Sequence, residues 1–291
     1  MIAVEIYSRP ESIAEALKML ASDEYMPIAG GTDIIPQLRR GHKTKLLDIG
    51  RLGLNFIREN GADSVEIGSA VTHCQLHSSE IIRHFLPLLA WAASLVGSAQ
   101  IRNRGTVGGN IVNASPCADT VPALLNYDGE LILLSAGGKR PVDLSEFISR
   151  PYVTTRRPDE LLHSIICKKN KINSGPSYIK LGRRQAVNIS RMTIAATLGI
   201  GESGIITGAT IAAGSVFPVA SRIPDVEKLL IGKCADAALF GEAAYLAADL
   251  MIKESGYRWS SPYKKPVLIA LMIRALTAAS KNTTTARAAH E

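Results

Sequence analysis

Cysteine is scarce and poorly spaced for chemistry. The four in the chain, Cys74, Cys117, Cys167 and Cys234, stand far apart without a Cys-x-x-Cys pair, so they specify neither a zinc site nor an iron–sulfur cluster and read as buried thiols. Long apolar runs are missing too. The most apolar stretch, Phe85 to Val96, is too short to cross a bilayer and has Arg83 and His84 at its edge, so no membrane partner is expected. The amino-terminal segment MIAVEIYSRPES lacks the basic start, apolar core and cleavage site of a secretory signal, which makes a cytoplasmic location the expectation. There is no Gly-x4-Gly-Lys-Ser/Thr motif, which excludes a P-loop nucleotide site. Ser115 and Cys117 have no assignable base, so the chain does not read as a hydrolase. Aromatic residues make up only 5%, and the basic residues behind the net charge of +7 are spread out rather than interleaved with them. That argues against nucleic acid; an acidic protein partner or an anionic ligand suits the charge equally well.

What is present is an ordinary globular composition, 46% hydrophobic and 20% charged over 291 residues, enough for two or three subdomains. AVEIY reads as a strand. In the segment after it, Ser12 and Glu15 fit a capping box, and Ile13, Ala16, Leu17 and Leu20 share one helical face. MPIAGG reads as a short buried strand entering a glycine turn, with KLLDIG and VEIGSAVT as further strands. Helical spacing from Ser78 to Gly97, broken at Pro87, predicts two helices in series. Gly108 and Gly109 are expected to open a polar loop, and residues 151–177, rich in Pro, Arg, Lys and Ser, to connect two domains. Glycine-punctuated strands follow, then helices at roughly Ala235 to Glu254 and Pro266 to Ser280, and a frayed tail.

Three constellations invite chemistry. Gly199-x-Gly201-x-x-Gly204 matches the dinucleotide fingerprint letter for letter, but that fingerprint needs a helix after it, and IITGATIAAG reads as strand; a hairpin turn through Glu202 and Ser203 is the reading. His73 and His77 have a metal-compatible spacing but no third ligand nearby, so no metal site is assigned. The remaining feature is a pair of glycine motifs, AGGTD and TVGGN. Each glycine pair lets backbone approach a ligand and point successive N–H groups into one concavity, and each is followed by polar residues: Thr32 and Asp33 in one, Asn110 in the other. Either alone reads as a tight turn; together they suit the two phosphates of a dinucleotide.

The segments YSRPESIAEALKMLASDEYMPIAGGTDI and LVGSAQIRNRGTVGGNIVNASPCADTVPALL resemble the FAD-binding subunit of the molybdenum hydroxylases, the medium subunits of the xanthine dehydrogenase and carbon monoxide dehydrogenase type. The resemblance extends over nearly the whole chain, including YIKLGRR and the helical end. It implies an α+β fold: a two-part FAD-binding domain of the vanillyl-alcohol-oxidase (PCMH) type over residues 1–172, with subdomains at about 1–55 and 56–172, then a C-terminal α+β domain over 173–291 with a small, three-stranded antiparallel sheet and helices. By the same match, Met26, Pro27, Ile28, Ala29, Gly30, Gly31, Thr32 and Asp33 form the first pyrophosphate loop, and Thr106, Gly108, Gly109 and Asn110 the second. Asp119 is implied to bond the adenosine part, with Val112 and Ala118 lining it; Leu162 and Lys180 fall on the flavin side, where a cation stabilises the reduced ring.

The implied function is that of an electron-transfer flavoprotein subunit of an oxidoreductase acting on CH or CH–NH groups. A molybdopterin-binding subunit would oxidise the substrate, a subunit with two 2Fe–2S clusters would pass electrons on, and FAD on this chain would deliver them to NAD or another acceptor. No catalytic side chain is assigned. Arg102 and Arg104 are expected on the partner-facing side, and the segment Gly182 to Arg191 is expected to be a mobile loop gating acceptor access. A self-contained flavin oxidoreductase and a non-enzymatic nucleotide-binding or assembly protein are the competing readings. The substrate of the whole complex is not legible, because its pocket would lie on another chain.

Overall fold

Chain order and sheet order part company in the first fifty residues. β1 (Val4–Ser8), α1 (Ile13–Ser22), β2 (Tyr25–Ile28), α2 (Ile34–Leu38) and β3 (Thr44–Asp48) follow one another, yet β3 lies between β1 and β2 and pairs with both in parallel. The structure is a computed structural model and describes residues 4–38, 44–170, 174–184 and 187–288. Parallel strands need a crossover, and α1 supplies one between β1 and β2. Its start is capped by Ser12, whose Oγ accepts the Glu15 N–H at 3.2 Å. The reciprocal bond comes to Glu15 from the N–H of Glu11 rather than of Ser12, so the expected capping box is shifted by one residue. Ala16 and Leu20 bury the inner face of α1 against Leu47, Leu54 and Leu161.

The chain then builds a second sheet around a helical insert. β4 (Ile57–Asn60) and β5 (Ser64–Gly68) lead into α3 (His73–Ser78), α4 (Glu80–Phe85), α5 (Pro87–Ser94), α6 (Ala99–Arg104), α7 (Val107–Asn113) and α8 (Thr120–Asn126). β6 (Glu130–Ser135), β7 (Gly138–Asp143), α9 (Leu144–Phe147), β8 (Ile148–Arg150), β9 (Val153–Thr154) and β10 (Leu161–Lys168) follow; β6, β7 and β10 complete the sheet, while β8 and β9 pair only with each other. The sheet is antiparallel throughout, in the order β4-β5-β10-β6-β7. Pro87 sits at the first turn of α5, where its missing N–H costs no helical bond, and α4 and α5 are the two helices in series.

Three expectations need correction here. Residues 151–177 are not one connector, because β10 lies inside that range as the central strand of the sheet, with Ile165 and Cys167 fully buried. Gly108 and Gly109 do not open a loop. They form the first turn of α7, which Thr106 caps by accepting the Gly109 N–H at 3.1 Å. Nor are the cysteines uniformly buried: Cys167 is, and burial pushes its thiol up to about 12, whereas Cys117 is intermediate and Cys74 and Cys234 are exposed.

A third sheet follows. β11 (Ser174–Gly182), β12 (Ser190–Ile200), β13 (Ile206–Gly214) and the two-residue β14 (Ser221–Arg222) are antiparallel neighbours in that order, one short strand beyond the expected three. Gly201 and Gly204 turn β12 into β13: the Gly201 N–H donates to Ile205 O at 2.8 Å, and Gly204 takes φ +76°. The fingerprint match at Gly199 is thus a hairpin. α10 (Pro224–Leu230), α11 (Ala237–Ser255) and α12 (Ser261–Ala288) close the fold. The expected fraying after Ser280 is absent through Ala288, where α12 ends, and residues 289–291 lie outside the described residues. α12 lies directly on β11, since a Cβ on Gly175 would stand 1.9 Å from Ala279 O. No helix among the described residues is long and apolar enough to cross a membrane. The α+β architecture implied by the resemblance is the one observed, with separate cores under the second and third sheets.

Candidate cofactor-binding site

A cavity of about 830 Å³ opens between the first small sheet and the helical insert on the second. Its size is that of a large small-molecule site. Met26, Pro27, Ala29, Gly30, Gly31, Thr32 and Asp33 line one side; Thr106, Gly108, Gly109, Asn110 and Val112 face them; Leu162 comes in from the start of β10. Thirteen of the seventeen expected residues therefore converge on one space. Ile28 does not line it: its side chain packs with Leu38 and Leu46 beneath the first loop. Ala118, Asp119 and Lys180 also lie off the cavity wall.

The two glycine motifs touch each other. A Cβ on Gly30 would lie 1.7 Å from the carbonyl oxygen of Arg104, so only glycine permits this approach, and Arg104 Nε donates to Gly30 O at 3.3 Å across the same seam. Gly31 follows with φ +71°, and its carbonyl accepts the Ile35 N–H at 3.0 Å to start α2. Around that turn, the N–H groups of Gly30, Gly31, Thr32 and Asp33 meet no acceptor among the described residues. Successive free amides in a left-handed turn make an anion-binding concavity without a basic side chain.

The second motif is built differently. Its N–H groups are already used: Val107 to Val71 O, Gly108 to Ser69 O, Gly109 to Thr106 Oγ1 and Asn110 to Thr106 O, all within 2.9–3.1 Å. The cause is local, because Thr106 both bridges to Thr72 and caps α7. Gly108 serves close packing, since a Cβ there would lie 2.6 Å from Ser69. The amides of the pair are therefore one-sided, with the first loop offering them and the second forming the opposing wall.

The rest of the lining lies outside the expected set and includes the polar side chains of Ser69, His73, Tyr152, Arg156 and Glu160, with Gln37 and Asn113 beside them. Ser69 Oγ and His73 Nδ1 are buried and have no hydrogen-bond partner. Each such atom costs about 1–3 kcal/mol until something satisfies it. Burial, with a smaller push from Arg102, pulls the His73 imidazole down to about 4, so it is neutral in the cavity wall. His77, four residues on, instead approaches Ala90 O at 3.3 Å, and no cluster of three potential metal ligands occurs among the described residues. Tyr152 sits at the rim with φ +63°. Glu160 is clamped by a two-pronged Arg140 at 2.6 and 2.7 Å and by the Arg157 N–H. Burial pushes its carboxyl up, but these donors outweigh that and hold it below the usual carboxylate range. Arg156 donates to Glu160 O at 2.6 Å and knots the same loop. Of these only His73 carried a signal in the sequence, and its spacing to His77 pointed to the wrong chemistry.

Asp119 and Lys180 pair with each other behind the wall, at 2.7 Å and almost fully buried. Lys180 also donates to Leu95 O, next to the cavity-lining Val96, while Ser190 Oγ donates to the second Asp119 oxygen. Burial pushes the Asp119 carboxyl up, and Lys180 and Ser190 offset part of that. Arg102 donates to Val96 O and Gly97 O, so both arginines of the Gln-Ile-Arg-Asn stretch and its neighbour hold backbone at the cavity edge.

The family model described as FAD binding domain in molybdopterin dehydrogenase matches residues 2–167, more than half of the chain, and the CO dehydrogenase flavoprotein C-terminal domain matches residues 177–279. The chain belongs to the FAD subunits of the molybdenum hydroxylases. FAD is its cofactor, and it is an oxidoreductase subunit. This FAD subunit is 31% identical to the glyceraldehyde dehydrogenase medium chain of Sulfolobus acidocaldarius over 92% of its own length and 96% of that chain. It is 32% identical to the carbon monoxide dehydrogenase medium chain of Hydrogenophaga pseudoflava, covering 94% and 96%. Among solved structures, a Cu,Mo-containing carbon monoxide dehydrogenase in its cyanide-inactivated form superposes with a TM-score of 0.90 at 26% identity, covering 97% of this chain and 99% of that one. The residues fit the cofactor on their own terms: a cavity of dinucleotide scale, four free backbone donors for phosphate oxygens, and two unsatisfied buried polar atoms beside them.

Proposed function

We propose that this FAD subunit passes electrons from an iron–sulfur subunit to NAD or another acceptor, within a cytoplasmic three-subunit assembly whose molybdopterin-binding subunit oxidises the organic substrate. The observation that carries the reading is the free run of N–H groups from Gly30 to Asp33 inside the large cavity, a pyrophosphate grip that leaves the ring end of the ligand to reach the cavity rim. Bound FAD supplies the ability to take electrons singly and release them in pairs. The chain's own residues do the rest. Gly30 and Gly31 present the amides, Thr106 and Asn110 form the facing wall, and Leu162 with Val112 adds apolar contact that excludes water. The Asp119–Lys180 pair fixes β11 against the start of α8 behind the site. The FAD-binding part runs over residues 1–172 and the C-terminal part over 173–291. The segment 182–191 runs from the end of β11 to the start of β12, and within it the Asn188 carbonyl accepts from Lys180 Nζ at 3.3 Å. The same reading gives it the gating of acceptor access; residues 185–186 lie outside the described residues.

The net charge of +7 suits docking to an acidic partner surface or attraction of a phosphate-bearing acceptor. The relatives' designation as medium chains supports a multi-chain assembly. The test is a visible spectrum followed by reconstitution. The purified chain, supplied with FAD, shows bound-flavin absorption, and the flavin is reduced by substrate only when the iron–sulfur and molybdopterin subunits are both present. A colourless chain after FAD addition overturns the reading, and substrate turnover by the isolated chain replaces it with a self-contained flavin enzyme.

A further inference from the structure

Ser69 and His73 stand between the two glycine motifs rather than beside them. Ser69 is the residue against which Gly108 closes, with its Cβ 2.6 Å from where a Gly108 side chain would begin. His73 Cδ2 lies 3.2 Å from the corresponding point on Gly105, with Thr32 Oγ1 at 3.4 Å from the same point. The two side chains thus mark the floor of the space that Gly30–Asp33 and Thr106–Asn110 enclose. Both residues are almost fully buried, at 2% and 3% exposure, and both carry an unpartnered polar atom, Ser69 Oγ and His73 Nδ1.

Buried polar atoms in a folded protein are nearly always paired, and an unpaired one behind a cavity wall points to a partner that pairs it. Both atoms are closed off from the cavity as the side chains stand, so a ligand there pairs them once the hydroxyl and the ring turn toward it. The chemistry of the pair is specific. A serine hydroxyl and a neutral imidazole both donate one hydrogen bond without bringing a charge, and both can reorient, the hydroxyl about one bond and the ring by a half-turn. Two neutral donors added to a run of backbone N–H groups suit a diphosphate bound without a basic side chain, because Arg102 and Arg104 are turned to the carbonyls of Val96, Gly97 and Gly30, and Arg156, the arginine of the cavity wall, is turned to those of Arg157, Pro158 and Glu160. We infer that Ser69 and His73 are pyrophosphate-binding residues of this subunit, donating from the cavity floor to the diphosphate that links the two halves of FAD. The inference rests on FAD being the occupant of the cavity and adds two side chains to the backbone grip.

Affinities of the wild-type chain and of Ser69→Ala, His73→Leu and His73→Asn are measured by flavin fluorescence for FAD, with ADP and riboflavin as separate competitors. Losing one donor weakens FAD and ADP about tenfold each, the equivalent of about 1.4 kcal/mol. Riboflavin, which has no phosphate, is unaffected, and His73→Asn restores most of the FAD affinity by keeping an amide near the Nδ1 position. In the wild-type chain labelled with 15N-histidine, FAD shifts the His73 Nδ1 resonance, a readout that does not depend on any variant folding. Equal FAD affinity in wild type, Ser69→Ala and His73→Leu, or an unshifted Nδ1 resonance in a chain that holds FAD, overturns the inference alone and leaves internal water as the partner of both atoms. An equal loss for riboflavin places the residues elsewhere on the ligand and overturns it as well. A wild-type chain that binds no FAD removes the cofactor reading itself.

Discussion

The adjacent glycines Gly30 and Gly31 do different work, and the difference is measurable. Gly31 is a glycine of conformation: at φ +71°, a side chain adds left-handed strain and meets Ile35 Cγ1 at 3.1 Å, a contact that a flexible tip can relieve. The expected cost of Gly31→Ala is about 1–2 kcal/mol, with much of the FAD site intact. Gly30 is a glycine of space. Its neighbour is backbone, the Arg104 carbonyl, at 1.7 Å from any Cβ, so Gly30→Ala must separate the first loop from the end of α6 and with it break the Arg104–Gly30 bond. Gly30→Ala is expected to lose FAD retention altogether and to melt at a lower temperature than Gly31→Ala. Thermal denaturation with flavin absorbance on the same samples checks both, and equal behaviour of the two variants would show that the seam between the motifs does not matter. Nothing local in the sequence separates the two glycines, since φ and turn chemistry can be guessed locally whereas contact with a carbonyl 74 positions away cannot.

Among elements, α8 holds the FAD-binding part and the third sheet together. Asn126, at its end, donates to Ala195 O on β12 at 3.1 Å and to Thr210 O on β13 at 2.8 Å, and it accepts from Thr197 Oγ1 at 2.7 Å. The residue is buried, and all three bonds cross between the two parts. Asn126→Ala leaves the Ala195 and Thr210 carbonyls and the Thr197 hydroxyl without this partner. The expected loss is about 3 kcal/mol, near 1 kcal/mol per bond. Urea denaturation reads the total, and limited proteolysis reads the consequence, an earlier cut between β10 and β11. A variant with wild-type stability would mean that water replaces the amide. Elements with strong local patterns were legible in the sequence: α1 from its cap and apolar spacing, α5 from Pro87, and the hairpin at Gly201–Gly204 from the absence of a following helix. β10 was hidden because polar flanks on both sides outweighed LLHSIIC, and only pairing with β5 and β6 makes it central. α7 was hidden because two glycines in seven residues argue against a helix, and its Thr106 cap depends on a bridge to Thr72 that no local pattern encodes. The two glycine motifs made two facing stretches of the cavity lining readable, but Ser69, Tyr152, Arg156 and Glu160 arrive there only through the fold.

At the scale of the whole molecule, apolar burial is unevenly shared. Among the described residues, the cores under the second and third sheets are extensive, whereas the first sheet rests on a cluster of seven buried residues, Ala16 to Leu161, and on a second of three, Ile28, Leu38 and Leu46. β1 is exposed along most of its length. A unit with so little buried surface opens more readily than its neighbours. The cavity lies between this first sheet and the large core beyond it, so a ligand that contacts both walls adds an attachment that the side chains alone do not provide. Any ligand that binds only the folded state stabilises it by RT ln(1 + [L]/Kd), about 2.7 kcal/mol at a hundredfold excess over Kd. The gain is expected to be local before it is global. In hydrogen exchange of the chain without FAD, the amides of β1, β2 and β3 exchange fastest among the strands; on adding FAD they slow, together with those of Gly30 to Asp33, while β11, β12 and β13 keep their rates. Uniform slowing across all three sheets would mean that the protein opens as one unit, and slowing confined to the third sheet would place the ligand on the wrong part of the chain.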